Sequence, residues 1–354
     1  MRAFFKFLVA AGLAAVVNTA AVQRDNNVLE VTLTPGGNAV VHATVKNVGV
    51  EPLNLLSYGT LFDPAPVQKV YVYEGETAVP FKGLLRTIQY TDLTPEVFHT
   101  LAVGETFETT VNAAEVHDLS TSTYTFVATG GIPTAAVGST ELTGSIIFTS
   151  NTLTMDIDGT AAKSIAKAIP THNDPRTMIQ SDCTGTQLSQ TIDALTKCAD
   201  IAKVTWTVVY AGNRTKFAVY YKDSSVATRT IVAARFIGVE NECKSQAAGN
   251  TTYHCTDVYG YCKPNVLAYT LPSINTIVNC PLYYSLPAVS TECHVPDRVT
   301  TMIRELTRAP GTYNPGTLDY AYGYDASLAL SGPQAILNAD TYALYVNAVS
   351  LGCD

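Results

Sequence analysis

Apolar and polar residues alternate along much of the N-terminal half of the chain, and this period of two is typical of strands with one buried face. Gly, Pro and Asn residues separate the alternating runs and predict turns between them. We therefore expect an antiparallel, sandwich-like all-β unit. The predicted strands cover residues 40–48, 70–73, 106–111, 124–127 and 153–157.

Beyond residue 180 the apolar residues recur at the helical period instead of every second position. The most regular case has apolar residues at i, i+3, i+4 and i+7, starting at Val299. Ser331 and Gln334 have the spacing of a capping box, which predicts a helix start there. A segment rich in Tyr and Cys predicts a hairpin and loops at residues 251–285. Helices are predicted at residues 188–204, 226–237, 297–308 and 338–350.

The first twenty residues have the layout of a signal peptide. Arg2 and Lys6 precede an apolar run, residues 7–17, which is followed by small residues. This run is shorter than the roughly 20 residues that span a bilayer, so a retained membrane anchor is the less favoured alternative. We expect a soluble, secreted, extracellular protein with no membrane partner.

A polar stretch of small residues, 159–180, separates the two halves and has the character of a processing linker. Arg176 is the predicted cleavage point. It divides the chain into a signal peptide (1–20), a β-rich propeptide (21–176) and a C-terminal domain (177–354). The alternative is an uncut tether between two domains. The length of 354 residues fits two domains of about 150 residues each.

Composition narrows the class of protein. Hydrophobic residues make up 47% of the chain and charged residues 15%, which argues against a disordered protein. The net charge of -8 argues against a nucleic-acid partner. The eight cysteines lie between Cys183 and Cys353, and an even count in an exported chain predicts four disulfides. Glycosylation sequons at Asn213 and Asn250 fit the same secretory route.

Two motifs in the C-terminal half carry candidate chemistry. Residues 304–308 read Arg-Glu-Leu-Thr-Arg, and residues 316–323 read Gly-Thr-Leu-Asp-Tyr-Ala-Tyr-Gly. With these motifs, residues 177–354 resemble deuterolysin, the fungal neutral protease II group of aspzincin metallopeptidases. Those enzymes pair a His-Glu-x-x-His helix with a Gly-Thr-x-Asp-x-x-Tyr-Gly segment. The resemblance is strongest at residues 251–273, 309–325 and 338–353.

The resemblance implies an α+β protein, in which an all-β, sandwich-like propeptide precedes a mainly α, disulfide-rich, zincin-like metalloprotease domain. In the family the propeptide keeps the precursor inactive and assists folding. The implied activity is zinc-dependent cleavage of proteins, with a preference for basic substrates. We expect a monomer whose partners are a protein or peptide substrate or ligand and its own propeptide.

The resemblance also assigns roles to single residues. Glu305 takes the position of the general base that deprotonates a zinc-bound water, and Asp319 that of the third zinc ligand. Tyr322 lies where a transition-state hydrogen-bond donor is expected, and Asp340 is a second acidic candidate near the site. Cys198 and Cys243 have no partner in the family's pattern; we expect them to pair, with two free thiols as the alternative. The disulfides that the family's pattern implies are Cys183–Cys255, Cys262–Cys280 and Cys293–Cys353.

The sequence departs from the family at both histidine ligands, whose positions are occupied by Arg304 and Arg308. A guanidinium stays protonated and offers no lone pair to a metal. Two fixed positive charges also repel zinc. His254 and His294 lie in the same half but lack the spacing of a ligand pair. We therefore expect zinc binding to be lost or weak, and the protein to be catalytically impaired or inactive.

Three interpretations of the function follow. The first is a secreted, inactive homologue whose cleft binds peptides, and the second is a working zinc metalloendopeptidase with unexpected ligands. The third is a structural protein that needs only the disulfide scaffold. For the arginines we expect an ion pair of Arg304 or Arg308 with Asp319 or Glu305 in place of the metal. The alternative places both arginines in solvent on a polar helix face.

Overall fold

The computed structural model describes residues 28–169 and 178–353, and within them the chain is an α+β protein. The predicted signal peptide and the predicted cleavage point at Arg176 lie outside the described residues. We call residues 28–169 the first segment and residues 178–353 the second segment. The first segment contains β1 (Leu29–Gly37), β2 (Val40–Asn47), β3 (Leu53–Leu56), β4 (Tyr71–Glu74), β5 (Thr77–Ala78), β6 (Leu85–Ile88), β7 (Phe98–Leu101), β8 (Thr106–Asn112), β9 (Ser122–Val127), β10 (Thr129–Ala135), β11 (Leu142–Thr149), β12 (Leu153–Ile157) and α1 (Gly159–Lys163).

Most strands of the first segment form three antiparallel sheets, with strand orders β1-β2-β8, β11-β10-β3-β7 and β12-β9-β4-β5. The alternation that predicted strands reflects burial: Val41, Ala43 and Val45 of β2 are buried, whereas His42 between them is exposed. The five predicted strands are present as β2, β4, β8, β9 and β12, with ends within two residues of the prediction.

The second segment is mainly helical. Its elements are α2 (Gly185–Ala211), α3 (Arg214–Tyr221), α4 (Val226–Lys244), β13 (Thr252–His254), β14 (Val266–Leu271), β15 (Thr276–Asn279), α5 (Arg298–Arg308), α6 (Tyr324–Leu328), α7 (Gly332–Leu337) and α8 (Ala339–Leu351). Helix α2 extends beyond the predicted helix at both ends, α4 continues to Lys244, and α5 and α8 match their predictions to within one residue.

Some elements of the structure were not predicted from the sequence. The stretch 159–180 was expected to be a polar linker, but its first residues form α1, because the side chain of Asp158 accepts hydrogen bonds from the backbone N–H groups of Thr160 and Ala161. Helix α3 was not predicted, since its eight residues are too few for a clear period. The capping box was predicted correctly: Gln334 accepts a hydrogen bond of 3.1 Å from the backbone N–H of Ser331.

One sheet contains strands from both segments. Its order is β13-β15-β14-β6, so the edge strand β6 comes from the first segment and the other three from the second. Strand β6 runs antiparallel to β14, with Arg86 opposite Tyr269 and Leu85 opposite Thr270. This shared sheet lies against α5, which also packs on α2 and α8.

The second segment contains four disulfides, which join Cys183–Cys255, Cys198–Cys243, Cys262–Cys280 and Cys293–Cys353. These are the three pairs that the family resemblance implies together with the expected fourth pair. The Cys198–Cys243 bond connects α2 to α4 in the main core of this segment. None of the helices in the described segments combines the length and apolar character that crossing a bilayer requires.

Candidate active site

Helix α5 carries the first motif and is enclosed on all sides. It begins at the N-cap Asp297, whose side chain accepts a hydrogen bond of 2.6 Å from the backbone N–H of Thr300. Arg304 is 2% exposed, and Glu305 and Arg308 are 0% exposed. The alternative that both arginines point to solvent is therefore wrong, because the shared sheet and α8 cover the face that the sequence marks as polar.

The second motif lies directly beside the end of α5. The backbone N–H of Thr317 donates to the carbonyl of Thr307 over 2.8 Å, and the hydroxyls of these two threonines lie 2.8 Å apart. A Cβ on Gly316 would lie 2.3 Å from the carbonyl oxygen of Arg308, so only glycine permits this close approach. This contact brings Asp319 to the side chains of α5.

Arg308 bridges two carboxylates. Its Nη1 donates to Oε1 of Glu305 over 2.8 Å, and its Nη2 donates to Oδ1 of Asp319. Burial alone lowers the pKa of Arg308, but the charges of Asp319 and Glu305 outweigh it and raise the pKa above the ordinary value. The guanidinium is therefore charged and lies between the two acidic residues that would face a metal in the family.

Arg304 extends the same ion-pair network. Its Nη2 lies 3.4 Å from Oδ1 of Asp319, and its Nε lies 3.2 Å from Oδ1 of Asp340. Burial lowers the pKa of Arg304, and the charges of Asp340 and Asp319 reverse this effect and raise it well above the ordinary value. Asp340, predicted only as a second acidic candidate, thus contacts the guanidinium that takes a histidine's position.

Glu305 has hydrogen-bond partners on both carboxylate oxygens. The hydroxyl of Thr87 and Nη1 of Arg308 donate to Oε1, and the hydroxyl of Thr270 donates to Oε2 over 2.5 Å. Thr87 belongs to β6 and Thr270 to β14. Nothing in the sequence marked either threonine, because their contact depends on the pairing of two strands far apart in the chain.

Tyr322 is buried beside the arginines. The guanidinium of Arg304 lies 5.4 Å from the centre of its ring, and its hydroxyl has no hydrogen-bond partner among the described residues. Burial raises the pKa of Tyr322 well above its ordinary value. Gly59 of the first segment, at φ +73°, leaves the space that this hydroxyl occupies, since a Cβ there would lie 2.4 Å from it.

The residues of this site do not fit a zinc ion. A catalytic zinc site uses three protein ligands with free lone pairs, and of the family's set only Asp319 has them here. Across the described segments, no group of three His, Cys, Asp or Glu side chains is placed to hold a metal. His254 lies 3.0 Å from Asp182, and His294 stacks on Tyr324 with ring centres 3.9 Å apart, so neither completes the set.

Little space remains around the arginines. A cavity of about 60 Å³ lies beside Arg304 and is lined by both segments, including Thr87 and Tyr90 of the first and His294 of the second. A cavity of this size holds a few water molecules. This cavity is therefore too small to hold a peptide.

Comparison with known proteins identifies the family of this chain. The Deuterolysin metalloprotease (M35) family model matches residues 3–353, and the chain belongs to this family. It is 63% identical to a neutral protease 2 homolog of Botryotinia fuckeliana over 354 residues, with 100% of both chains covered. It is 62% identical to a neutral protease 2 homolog of Sclerotinia sclerotiorum, covering 94% of this chain and 92% of the relative. Penicillolysin of Penicillium citrinum is 40% identical, with 99% of each chain covered.

Proposed function

We propose that this chain is a secreted deuterolysin-family protein that does not hydrolyse peptide bonds through zinc. The observation that carries the proposal is the position of Arg308, which is fully buried and bridges Glu305 and Asp319. A guanidinium has five N–H donors and no acceptor, so it satisfies these carboxylates but cannot coordinate a metal.

The charges support this proposal. Removing a dication from a buried site leaves carboxylates that repel one another, and unpaired buried charge is strongly destabilising. Arg304 and Arg308 together supply two positive charges against Glu305, Asp319 and Asp340. The fold thus has its own replacement for the charge of the metal.

The hydrogen bonds of Glu305, which takes the position of the general base, also support the proposed loss of zinc hydrolysis. A general base must reach the proton that it removes. Both oxygens of Glu305 already accept hydrogen bonds from Thr87, Thr270 and Arg308. Three of the roughly four lone-pair sites of this carboxylate are therefore occupied, and Glu305 is 0% exposed.

We further propose that residues 1–20 direct secretion and that residues 21–176 act as a propeptide-like unit over residues 177–354. The four disulfides suit an oxidising compartment. Asn213 and Asn250, the two predicted glycosylation sites, are both exposed. The propeptide role is supported by β6, which pairs with β14 and packs against α5.

Metal analysis of the purified protein, before and after removal of residues 21–176, tests the loss of zinc chemistry. We expect the unmodified chain to contain far less than stoichiometric zinc and to show no chelator-sensitive cleavage of casein. The double substitution Arg304→His with Arg308→His restores two imidazoles on one helix face, and we expect it to bind zinc stoichiometrically.

The matched control is Arg298→His, at the first residue of the same helix and away from the ion pairs. It adds an imidazole without a neighbouring ligand, so its zinc content should equal that of the unmodified chain. Stoichiometric zinc together with chelator-sensitive cleavage in the unmodified protein would overturn the proposal.

A further inference from the structure

The backbone of strand β6 pairs with the second segment and with no strand of its own segment, while the side chains of Arg86 and Ile88 also contact the first segment. Its backbone pairs with β14, from Ile88 opposite Val266 to Leu85 opposite Thr270, and it joins none of the three sheets of the first segment. Its four residues are buried. Withdrawal of β6 would turn β14 into an edge strand with a row of unpaired backbone N–H and C=O groups.

Arg308 ties this strand to α5. Its Nη1 lies 3.3 Å from the carbonyl oxygen of Leu85, and its Nη2 lies 2.8 Å from that of Arg86. Nη1 also donates to the hydroxyl of Thr87 over 3.0 Å. One guanidinium therefore binds three successive residues of β6 while it pairs with Glu305 and Asp319. A histidine in the same position could not reach all of these acceptors.

The contact extends beyond the strand. The rings of Tyr71 and Tyr320 stack with centres 5.2 Å apart, and the N–H of Gly131 donates to the carbonyl of Tyr320 over 3.0 Å. One apolar cluster combines side chains from both segments: Val67, Leu84 and Ile169 from the first, and Val266, Tyr269, Leu271, Val278 and Cys280 from the second. No disulfide joins the two described segments, so this attachment is non-covalent.

We infer that the edge of β14 together with the end of α5 is a permanent binding site for the protein's own segment around Leu85–Ile88, with Arg308 as the group that binds the strand's carbonyls. After the connection between the segments is cut, the N-terminal piece stays bound instead of being released. The inference rests on the proposed function, because it assigns to Arg308 a binding role in place of a metal site.

The experiment uses the full chain with the recognition sequence of a specific protease inserted within residues 170–177. The cut is thus independent of natural processing at Arg176. After cutting, we expect both pieces to elute together in size-exclusion chromatography at nanomolar concentration. In the same protein carrying Arg308→Met, we expect the affinity between the pieces to fall about 100-fold, because Glu305 and Asp319 lose their shared partner and the strand loses its donor.

The matched control is Arg214→Met, which removes an arginine from the exposed surface of α3 and should leave the affinity unchanged. Near-ultraviolet circular dichroism of the uncut protein checks that each variant folds. If Arg308→Met does not fold, Thr87→Val removes the hydroxyl that contacts both Arg308 and Glu305, and the affinity should fall about tenfold. Separation of the unmodified pieces, or an affinity unchanged by the tested substitution, would contradict the inference.

Zinc content measured on the same cut samples separates this inference from the proposed function. If the pieces stay together and contain stoichiometric zinc, the proposed loss of zinc chemistry is wrong but the permanent binding site stands. If the pieces separate and contain no zinc, the permanent binding site is wrong but the proposed loss of zinc chemistry stands.

Discussion

Nη2 of Arg308 donates a hydrogen bond of 2.8 Å to the backbone carbonyl of Arg86, which lies 222 positions earlier in the chain. The last residue of α5, the candidate catalytic helix, is thereby hydrogen-bonded to the middle of the edge strand β6. The family's pattern has a histidine at position 308, with a lone pair for a metal. This chain instead has an arginine at position 308, which donates hydrogen bonds to carbonyls and carboxylates and has no lone pair for a metal.

Loss of the Arg304 side chain should destabilise the fold. Arg304→Met removes the partner of Asp340 and one partner of Asp319, whose side chains are only 10% and 7% exposed, and we expect the free energy of unfolding to fall by about 3–5 kcal/mol. Urea unfolding measures the change. Adding Asp340→Asn should recover part of the loss, because one unpaired charge disappears. A loss as small as that of the exposed control Arg214→Met would contradict the prediction.

The hydroxyl of Thr270 contributes to the environment of Glu305. Thr270→Val keeps the shape of the side chain but removes the donor to Oε2, and we expect a loss of about 1–3 kcal/mol because a buried carboxylate oxygen loses a partner. The control is Thr154→Val, at an exposed position of β12, which should change stability by no more than about 0.5 kcal/mol. Equal midpoints in urea for the two variants would argue against the contact.

His117 should make stability depend on pH. Burial lowers its pKa from 6.5 to about 4, while its Nδ1 lies 3.1 Å from the carbonyl of Pro80. Between pH 6.5 and about pH 4, His117 binds a proton in the unfolded chain but not in the folded chain. The contribution of His117 to stability therefore falls as the pH is lowered. The fall amounts to about 3 kcal/mol.

The measurement compares urea unfolding of the unmodified chain and His117→Gln across this pH range. We expect the difference in stability between the two proteins to shrink, or to reverse in favour of the variant, as the pH falls from 6.5 to 4. Parallel stability curves for the two proteins would show that His117 does not remain neutral in the fold.

Gly316 controls the approach of the second motif to α5. Gly316→Ala places a Cβ within 2.3 Å of the carbonyl oxygen of Arg308, and we expect a loss of about 1–3 kcal/mol because the backbone must shift. Gly144→Ala in β11 is the control, since a Cβ there would have no other described atom within 4 Å, and it should be neutral or slightly stabilising. Thermal unfolding compares them, and equal shifts would refute the steric argument.

The sequence predicted the elements whose burial is periodic. Strand β2 alternates because one of its faces is buried, and α5 shows the helical period because its apolar stripe faces the core. Strand β6 has four buried residues in succession, so it has no alternation to detect. Thr87 was missed because it lies in this strand and because its contacts are with residues far away in the chain.

The sequence by itself determined the family, the two motifs and the replacement of both ligand histidines by arginines, because residue identity fixes charge and the presence of lone pairs. It left open whether Arg304 and Arg308 face solvent or the acidic residues. Only the tertiary structure decided this, by adding β6 to the sheet beside α5. That pairing encloses the helix, and enclosed guanidinium groups must find partners among Glu305, Asp319, Asp340 and the carbonyls of the added strand.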